Sequence, residues 1–334
     1  MKASIQFFHS LISSIIIVFF ITVSGYGKTI SSQRFSSDTL KIRVYLEGPL
    51  FDNGNALAMD GRPLMRDNLR SLPLNGQTLI PGKSPYTSIP FYAGNANRYG
   101  TVGTQYDLIT DSTSVFSIQG QDAIVDWVFI EIRNQNNSGH VLATRSALLQ
   151  RDGDVVDIDG TSPVYFPGLT ATQAYVVVKH RNHLGVMSNV VNLNSLIDFT
   201  SGSLSVFDYG TSINPSYNFN GLAQNSNVKP GFRAMWAGDF DSNGKLKFGN
   251  PGDDMNQLLF GLLYYGSNAG LSTNFDSAYG YLPMDYDLNG KVKFDNPGDD
   301  KNMLFSQIIF YPLNGQLLEN FGLIIEQVPT VTLR

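Results

Sequence analysis

Alternating apolar and polar positions predict β-strands in the first two thirds of the chain. Apolar side chains occupy every second position from Leu40 to Leu46, the pattern of a half-buried strand. Residues 124–132 are a dense run of β-forming residues that are apolar on both faces, typical of a central strand with Trp127 in the core. Residues 141–159 predict a hairpin, because the Asp-Gly pair at its turn supplies the positive φ of a tight turn.

Further short strands are predicted from Tyr175 and after Gly185, without a strongly amphipathic helix between them. Frequent glycine and proline residues punctuate these strands, as in all-β proteins. We therefore predict a mainly β protein whose residues 38–195 form an antiparallel β-sandwich. The polar, turn-rich residues 196–230 are interpreted as a connector.

The first residues have the pattern of an export signal. Lys2 precedes an apolar run centred on Ile15 to Ile21, and small residues follow at Ser24, Gly25 and Gly27. Residues 1–27 are therefore predicted to be a signal peptide, with an uncleaved membrane anchor as the alternative. No later segment approaches a spanning length, so the mature chain is expected to be secreted or at the cell surface, without a membrane span.

The amino-acid composition argues against several classes of function. The net charge of −5 leaves no basic field for nucleic acid, which is not expected as a partner. The chain has no cysteine, which excludes disulfides, thiolate catalysis and cysteine-based metal sites. The motifs of common hydrolases, such as Gly-x-Ser-x-Gly and His-Glu-x-x-His, are absent from the sequence. We therefore expect no enzymatic activity.

The most informative feature is an internal duplication. Residues 239–256, the first repeat, recur as residues 285–302, the second repeat, with 13 of 18 positions identical and an offset of 46 residues. Each repeat opens with the D-x-D-x-N-G pattern of a calcium-binding loop. Alternate side chains of such a loop turn inward to supply hard oxygen ligands, and the glycine at the sixth position permits a sharp bend.

The repeats therefore predict two Ca²⁺ sites. Side-chain ligands are expected at the first, third, fifth and sixteenth positions of each repeat, and a backbone carbonyl at the seventh. In the first repeat these residues are Asp239, Asp241, Asn243, Lys245 and Asp254, and in the second they are Asp285, Asp287, Asn289, Lys291 and Asp300.

The closing ligand of each site is open between two neighbouring residues. An EF-hand has a bidentate glutamate at the twelfth position, where these repeats carry Asn250 and Asn296. Asp254 and Asp300 can close the shell from a helix start, while Asp253 and Asp299 can cap that helix or take the ligand role instead. An apolar helical pattern follows each repeat, which predicts a small α-helical module over residues 231–312 and a C-terminal tail over 313–334.

The repeats resemble dockerin type I and EF-hand-like repeats, and the run AMWAGDFDSNGKLKF is similar to the end of haemagglutinin-like surface proteins of Bacteroidetes. Upstream runs such as AIVDWVFIEIR and ATRSALLQRDGDVVDIDG resemble the same family. The resemblance implies a calcium-binding, adhesin-like protein that binds carbohydrate or a cell-surface partner. It leaves two alternatives open: a dockerin-type accessory module of a polysaccharide-degrading system that docks to a protein scaffold, and a hydrolase with a dispersed active site.

Three other groups of residues are weaker candidates. The aspartates between Asp152 and Asp159 lack calcium-loop spacing, so a solvated hairpin is favoured over a third ion site. His180 and His183 are predicted to diverge at a strand end, which argues against joint zinc binding. The tyrosines and asparagines of residues 91–107 suit sugar contacts, although an ordered loop is favoured.

Overall fold

A computed structural model describes residues 38–51, 56–87, 107–209, 229–249, 253–295, 300–322 and 324–331. All of these residues belong to one compact unit. The predicted signal peptide, residues 91–106 of the candidate sugar-contacting loop and most of the predicted connector lie outside the described residues. None of the helices in the described ranges is long and apolar enough to cross a membrane.

The structure is mainly β, as predicted. Twelve strands occur among the described residues, most of them short. They are β1 (Thr39–Leu40), β2 (Ile42–Arg43), β3 (Ile124–Asn134), β4 (Val141–Gln150), β5 (Asp154–Val156), β6 (Val164–Tyr165), β7 (Gln173–Lys179), β8 (Val186–Met187), β9 (Val191–Asn192), β10 (Ile197–Asp198), β11 (Ala278–Tyr279) and β12 (Lys291–Val292).

One curled eight-stranded sheet organises the first part of the chain, in the order β10-β2-β5-β4-β3-β7-β8, with β9 also paired to β7. Strand β3 is an interior strand, paired with β4 and β7, and is buried on both faces, as the continuous apolar run predicts. Two further pairs, β1 with β6 and β11 with β12, complete the described strands. The two-layer sandwich therefore stays a prediction. Strand β10 pairs in parallel with β2, so the sheet extends past residue 195.

Helices are few and short in the described ranges. They are α1 (Glu47–Leu50), α2 (Asn68–Ser71), α3 (Ser112–Ser117), α4 (Asp254–Leu263) and α5 (Asp300–Ile309), with 3₁₀ turns at Pro85–Thr87 and Gly120–Asp122. Helices α4 and α5 follow the first and second repeats, where the apolar patterns predict them. Each is 10 residues long and buries one apolar face, which is represented by Leu258 and Leu304.

Two large hydrophobic clusters fill the molecule. The first surrounds the sheet and includes Trp127, as expected from the sequence. The second surrounds α4, α5 and the repeats. The two parts are joined closely, because Met235 and Leu288 belong to the first cluster although they lie far beyond the sheet in sequence. At Gly48 a Cβ atom would lie 1.9 Å from the carbonyl oxygen of Tyr286, so this contact requires glycine.

The C-terminal residues belong to the duplicated part of the structure. Strand β12 of the second repeat pairs with β11, which follows α4. In the first repeat the equivalent residue, Lys245, pairs with Ile325. Ile325 lies 46 residues after Tyr279 of β11 and follows α5. Each repeat is therefore closed by the segment that follows the other repeat's helix. The duplication extends beyond residue 312, where the sequence predicted only a tail.

Candidate metal centre

The structure brings three carboxylates of each repeat together. Their side-chain oxygens lie within 4.8 Å of one another in both repeats. The first cluster contains Asp239, Asp241 and Asp254, and the second contains Asp285, Asp287 and Asp300. These are the first, third and sixteenth positions of the predicted calcium loops.

The backbone of the first repeat folds around its first aspartate. Asp239 Oδ1 accepts a hydrogen bond from Asn243 N at 3.0 Å, and its Oδ2 accepts one from Gly244 N at 3.1 Å. Ser242 and Gly244 have positive φ values of 56° and 76°, which produce the tight turn. The turn directs alternate side chains to the same point.

The second repeat has the same geometry. Asp285 Oδ1 accepts from Asn289 N at 3.0 Å and its Oδ2 accepts from Gly290 N at 2.8 Å. Leu288 and Gly290 have φ values of 56° and 82°. Duplicated sequence has therefore produced duplicated backbone conformation, including a strained residue at the fourth position of each loop.

The sixteenth position closes each loop. Asp254 Oδ1 accepts from Phe240 N at 2.9 Å, and its Oδ2 accepts from Lys247 N at 2.9 Å. Asp253 instead caps α4, because its Oδ1 accepts from Asn256 N at 2.6 Å. In the first repeat, Asp254 rather than Asp253 thus faces the cluster.

Asp300 occupies the same place in the second repeat. Its two oxygens accept hydrogen bonds from Tyr286 N at 2.7 Å and Lys293 N at 2.9 Å. Asp299, the alternative closing ligand, lies outside the described residues, as do Asn250 and Asn296. The carboxylate at the start of α5 ties both ends of the second loop together.

The fifth and seventh positions of the repeats add no carboxylate to the clusters. Asn243 N donates to both Asp239 and Asp241, and its side chain is exposed. Asn289 Oδ1 accepts from Lys291 N at 2.8 Å, so this oxygen is engaged within the loop. The Lys291 ammonium pairs with Asp276 and Lys245 is exposed, so these two cations are not buried in the clusters.

Burial and repulsion by neighbouring carboxylates make Asp239 and Asp254 hard to ionise. Burial raises the pKa of Asp239 well above its usual range, and the nearby charges of Asp254 and Glu326 raise it further. Burial raises the pKa of Asp254 to about 7. Among the described residues, no ion pair compensates the charges of this cluster.

The carboxylate cluster of the second repeat is buried more completely than that of the first repeat. Burial and the neighbouring Asp287 raise the pKa of Asp285 well above its usual range, and the same two causes act on Asp300. Burial also raises the pKa of Asp287, although the Arg66 guanidinium opposes this shift. Arg66 Nη1 lies 3.0 Å from Asp287 Oδ2.

A buried polar network connects the two clusters to the sheet. The backbone oxygen of Asn182 accepts from Asp239 N at 3.2 Å, while its side-chain Nδ2 donates to the backbone oxygen of Asp285 at 2.7 Å. The neighbouring Arg181 donates from Nε to Asp126 Oδ2 on β3 at 3.0 Å. One segment after β7 thus contacts the first residue of both repeats.

The residues of the weaker candidate sites make other hydrogen bonds and ion pairs. His180 and His183 converge rather than diverge, with their Nδ1 atoms 3.0 Å apart, because the chain turns sharply after β7. Their remaining ring nitrogens contact Asp126 and Gly48 N, and in the described ranges the two histidines belong to no group of three side chains that could hold a metal ion. The aspartates at 152–159 serve ion pairs and turns, including pairs with Arg43 and Arg145.

Sequence reasoning missed the charged residues around the clusters. Arg66 precedes α2 and Glu326 lies near the C-terminus, so neither is close to a repeat in sequence. The repeat continues as Asn268 and Asn314, which make equivalent hydrogen bonds to Leu262 O at 2.9 Å and Ile308 O at 2.8 Å. Following that pattern further along the chain would have included Glu326 in the duplicated unit.

The chain matches no family model, no curated protein and no solved structure.

The residues present fit a hard divalent cation. Each cluster offers carboxylate oxygens at short mutual distances and contains no nitrogen or sulfur ligand. Calcium takes six to eight oxygen ligands at about 2.3–2.6 Å, from carboxylates, amides, backbone carbonyls and water. A bound cation would also offset the repulsion among the buried carboxylates.

Proposed function

We propose that this protein is a secreted or cell-surface, calcium-binding adhesin-like protein without catalytic activity. In this proposal residues 38–195 contribute an antiparallel sandwich, and the duplicated helical module binds two Ca²⁺ ions. The partner is a carbohydrate or a cell-surface molecule, as the resemblance of the repeats and upstream runs implies.

The observation that carries the calcium proposal is the pair of carboxylate clusters at equivalent positions of the two repeats, in which every carboxylate except Asp241 is buried. Asp239, Asp285 and Asp300 are each at most 3% exposed. Burying carboxylates next to one another is costly unless a cation or protons compensate their charges. Because both repeats retain the same ligand positions, a shared ion-binding role explains the duplication better than two turns that bind no ion.

A protein partner, as in the dockerin-type alternative, has separate support. Tyr264 and Phe310 occupy equivalent positions after α4 and α5 and are 75% and 60% exposed. Leu271 and Leu317 are likewise equivalent and exposed, and both have positive φ. Exposed apolar side chains in both copies favour contact with another protein. A glycan array and a pull-down from the native cell envelope, each with and without calcium, separate the two kinds of partner.

Calcium is expected to raise the melting temperature of the full chain relative to the same protein in EDTA. Binding to the folded state alone adds about 2.7 kcal/mol at a hundredfold excess over Kd. The double variant Asp239→Asn/Asp285→Asn should melt at the same temperature in both conditions, because each loop loses a ligand charge. Scanning calorimetry measures the difference.

The exposed aspartate Asp60 provides the control, since it pairs with Arg62 away from both repeats. Asp60→Asn should retain the full calcium-dependent increase. An unmodified protein that melts identically in calcium and EDTA would show that the clusters do not bind the ion, and the calcium proposal would be abandoned.

Calcium affinity is expected to increase with pH through neutrality. A carboxylate must lose its proton to bind a cation, and the pKa of Asp254 is about 7. In the metal-free protein the raised pKa of Asp254 makes the folded state less stable as pH increases. The folded state holds a proton that the unfolded chain has lost, so metal-free stability falls as pH rises from about 4 to about 7.

Calorimetric titrations at about pH 6, 7 and 8, in buffers with different protonation enthalpies, measure both affinity and proton release. Proton release should be largest at the acid end of this range and should disappear at the alkaline end. Affinity that does not change over this range, with no proton release, contradicts the prediction.

A further inference from the structure

The two repeats differ most at their third position. Asp241 is exposed, and its Oδ2 accepts from the neutral amide of Gln257 at 3.0 Å. Asp287 is buried and its Oδ2 pairs with the Arg66 guanidinium at 3.0 Å. A ligand of the second cluster is therefore already balanced by a cation, and its counterpart in the first cluster is not.

Arg66 is held in this position by the rest of the protein. Its backbone N–H donates to Pro49 O at 2.8 Å, and its Nη2 donates to Phe51 O at 2.7 Å. Leu288 also anchors the second repeat, because it is 1% exposed and packs in the hydrophobic cluster of the sheet. The guanidinium is thus a fixed charge beside the second cluster rather than a mobile surface group.

The first repeat has a neighbouring group of the opposite sign, the Glu326 carboxylate, whose charge is offset in part by the Lys179 ammonium 3.7 Å away. Glu326 N donates to Gly244 O at 2.7 Å, which places this residue directly against the loop. A Cβ atom on Gly244 would lie 3.9 Å from the Glu326 carboxyl carbon. The equivalent position beside the second repeat is Gly280, 46 residues earlier, which has no side chain.

We propose that the two ion sites are unequal: the first repeat binds calcium more tightly, and Arg66 keeps the affinity of the second repeat low. This inference rests on the proposed calcium binding. Calcium affinity depends on the charge of the site. Arg66 adds a positive charge beside the second cluster, whereas the group beside the first cluster, the partly offset Glu326 carboxylate, is negative. Greater burial of the second cluster strengthens the repulsion between Arg66 and a bound cation as well as the attraction of the carboxylates.

Calcium titration of the full chain by calorimetry tests the inference. The unmodified protein should show two binding steps of different affinity. Asp239→Asn should remove the tight step and Asp285→Asn the weak one. Arg66→Gln should raise the affinity of the weak step about tenfold, since it removes one positive charge close to the ion. Glu326→Gln should lower the affinity of the tight step severalfold.

Two further variants separate charge from structure. Arg66→Lys retains the charge, so its second site should stay weak even where hydrogen bonds are lost. Arg43→Gln removes an arginine that pairs with Asp154 in the sheet, and it should leave both affinities unchanged. Two equal sites in the unmodified protein, or an Arg66→Gln variant whose weak step is not tightened, overturn the inference. Absence of any calcium binding instead overturns the proposed function.

Discussion

Replacing Asp126 by alanine is expected to destabilise the protein by about 3–5 kcal/mol, the cost of breaking a buried ion pair. Asp126 on β3 is fully buried, and its Oδ2 accepts from Arg181 Nε at 3.0 Å and contacts His180 Nε2 at 3.1 Å. Its Oδ1 accepts from the Tyr281 hydroxyl at 2.6 Å. Burial acts to raise the pKa of Asp126, but Arg181 and His180 outweigh it and hold the pKa below its usual value.

The alanine variant leaves the Arg181 guanidinium buried without its carboxylate. The ring of Tyr281 also packs against Arg181, with the guanidinium carbon 4.2 Å from the ring centre, so the contact between sheet and repeats weakens as well. Urea unfolding monitored by circular dichroism measures the loss. Asp60→Ala, which breaks an ion pair whose aspartate side chain is 55% exposed, should change stability by about 0.5 kcal/mol or less. Equal effects of the two substitutions contradict this prediction.

Local patterns in the sequence predicted the features that depend on local chemistry. The continuous run of β-forming apolar residues at 124–132 predicted the interior strand β3, since a strand buried on both faces is apolar on both. The spacing of Asp239, Asp241 and Asp254 predicted the first carboxylate cluster, because a tight loop directs alternate side chains inward. These features are encoded within fewer than 20 residues.

Features that depend on distant contacts could not be predicted in the same way. Arg66 and Asp287 are 221 residues apart, and Asp126 and Tyr281 are 155 apart. No periodicity connects such pairs, because their proximity follows from how the repeats pack on the sheet. The prediction that the side chains of His180 and His183 diverge was wrong for a local reason. The chain turns after β7, where His183 Nδ1 also contacts Asn182 Oδ1, so the alternation of side chains along a strand no longer applies.

A fragment comprising residues 38–200 is expected not to fold on its own. The sequence predicts a sandwich that ends at residue 195, but in the structure later residues complete the packing around the sheet. Met235 N donates to Tyr45 O at 2.8 Å, and Glu47 N donates to Met235 O at 3.0 Å. Met235 and Leu288 also fill the hydrophobic cluster around the sheet, and the fragment lacks both.

The same truncation removes Tyr281 from Asp126 and leaves Arg181 without its contacts to the repeats. Buried polar groups would then meet water or stay unpaired, and apolar surface of the sheet would be exposed. The fragment should therefore show no cooperative thermal transition and should bind hydrophobic dyes, whereas a chain from residue 38 to 334 should melt cooperatively. Circular dichroism and dye fluorescence make the comparison. A fragment that melts cooperatively with a native β spectrum would establish that residues 38–200 fold independently and that the later residues only pack on a preformed sheet.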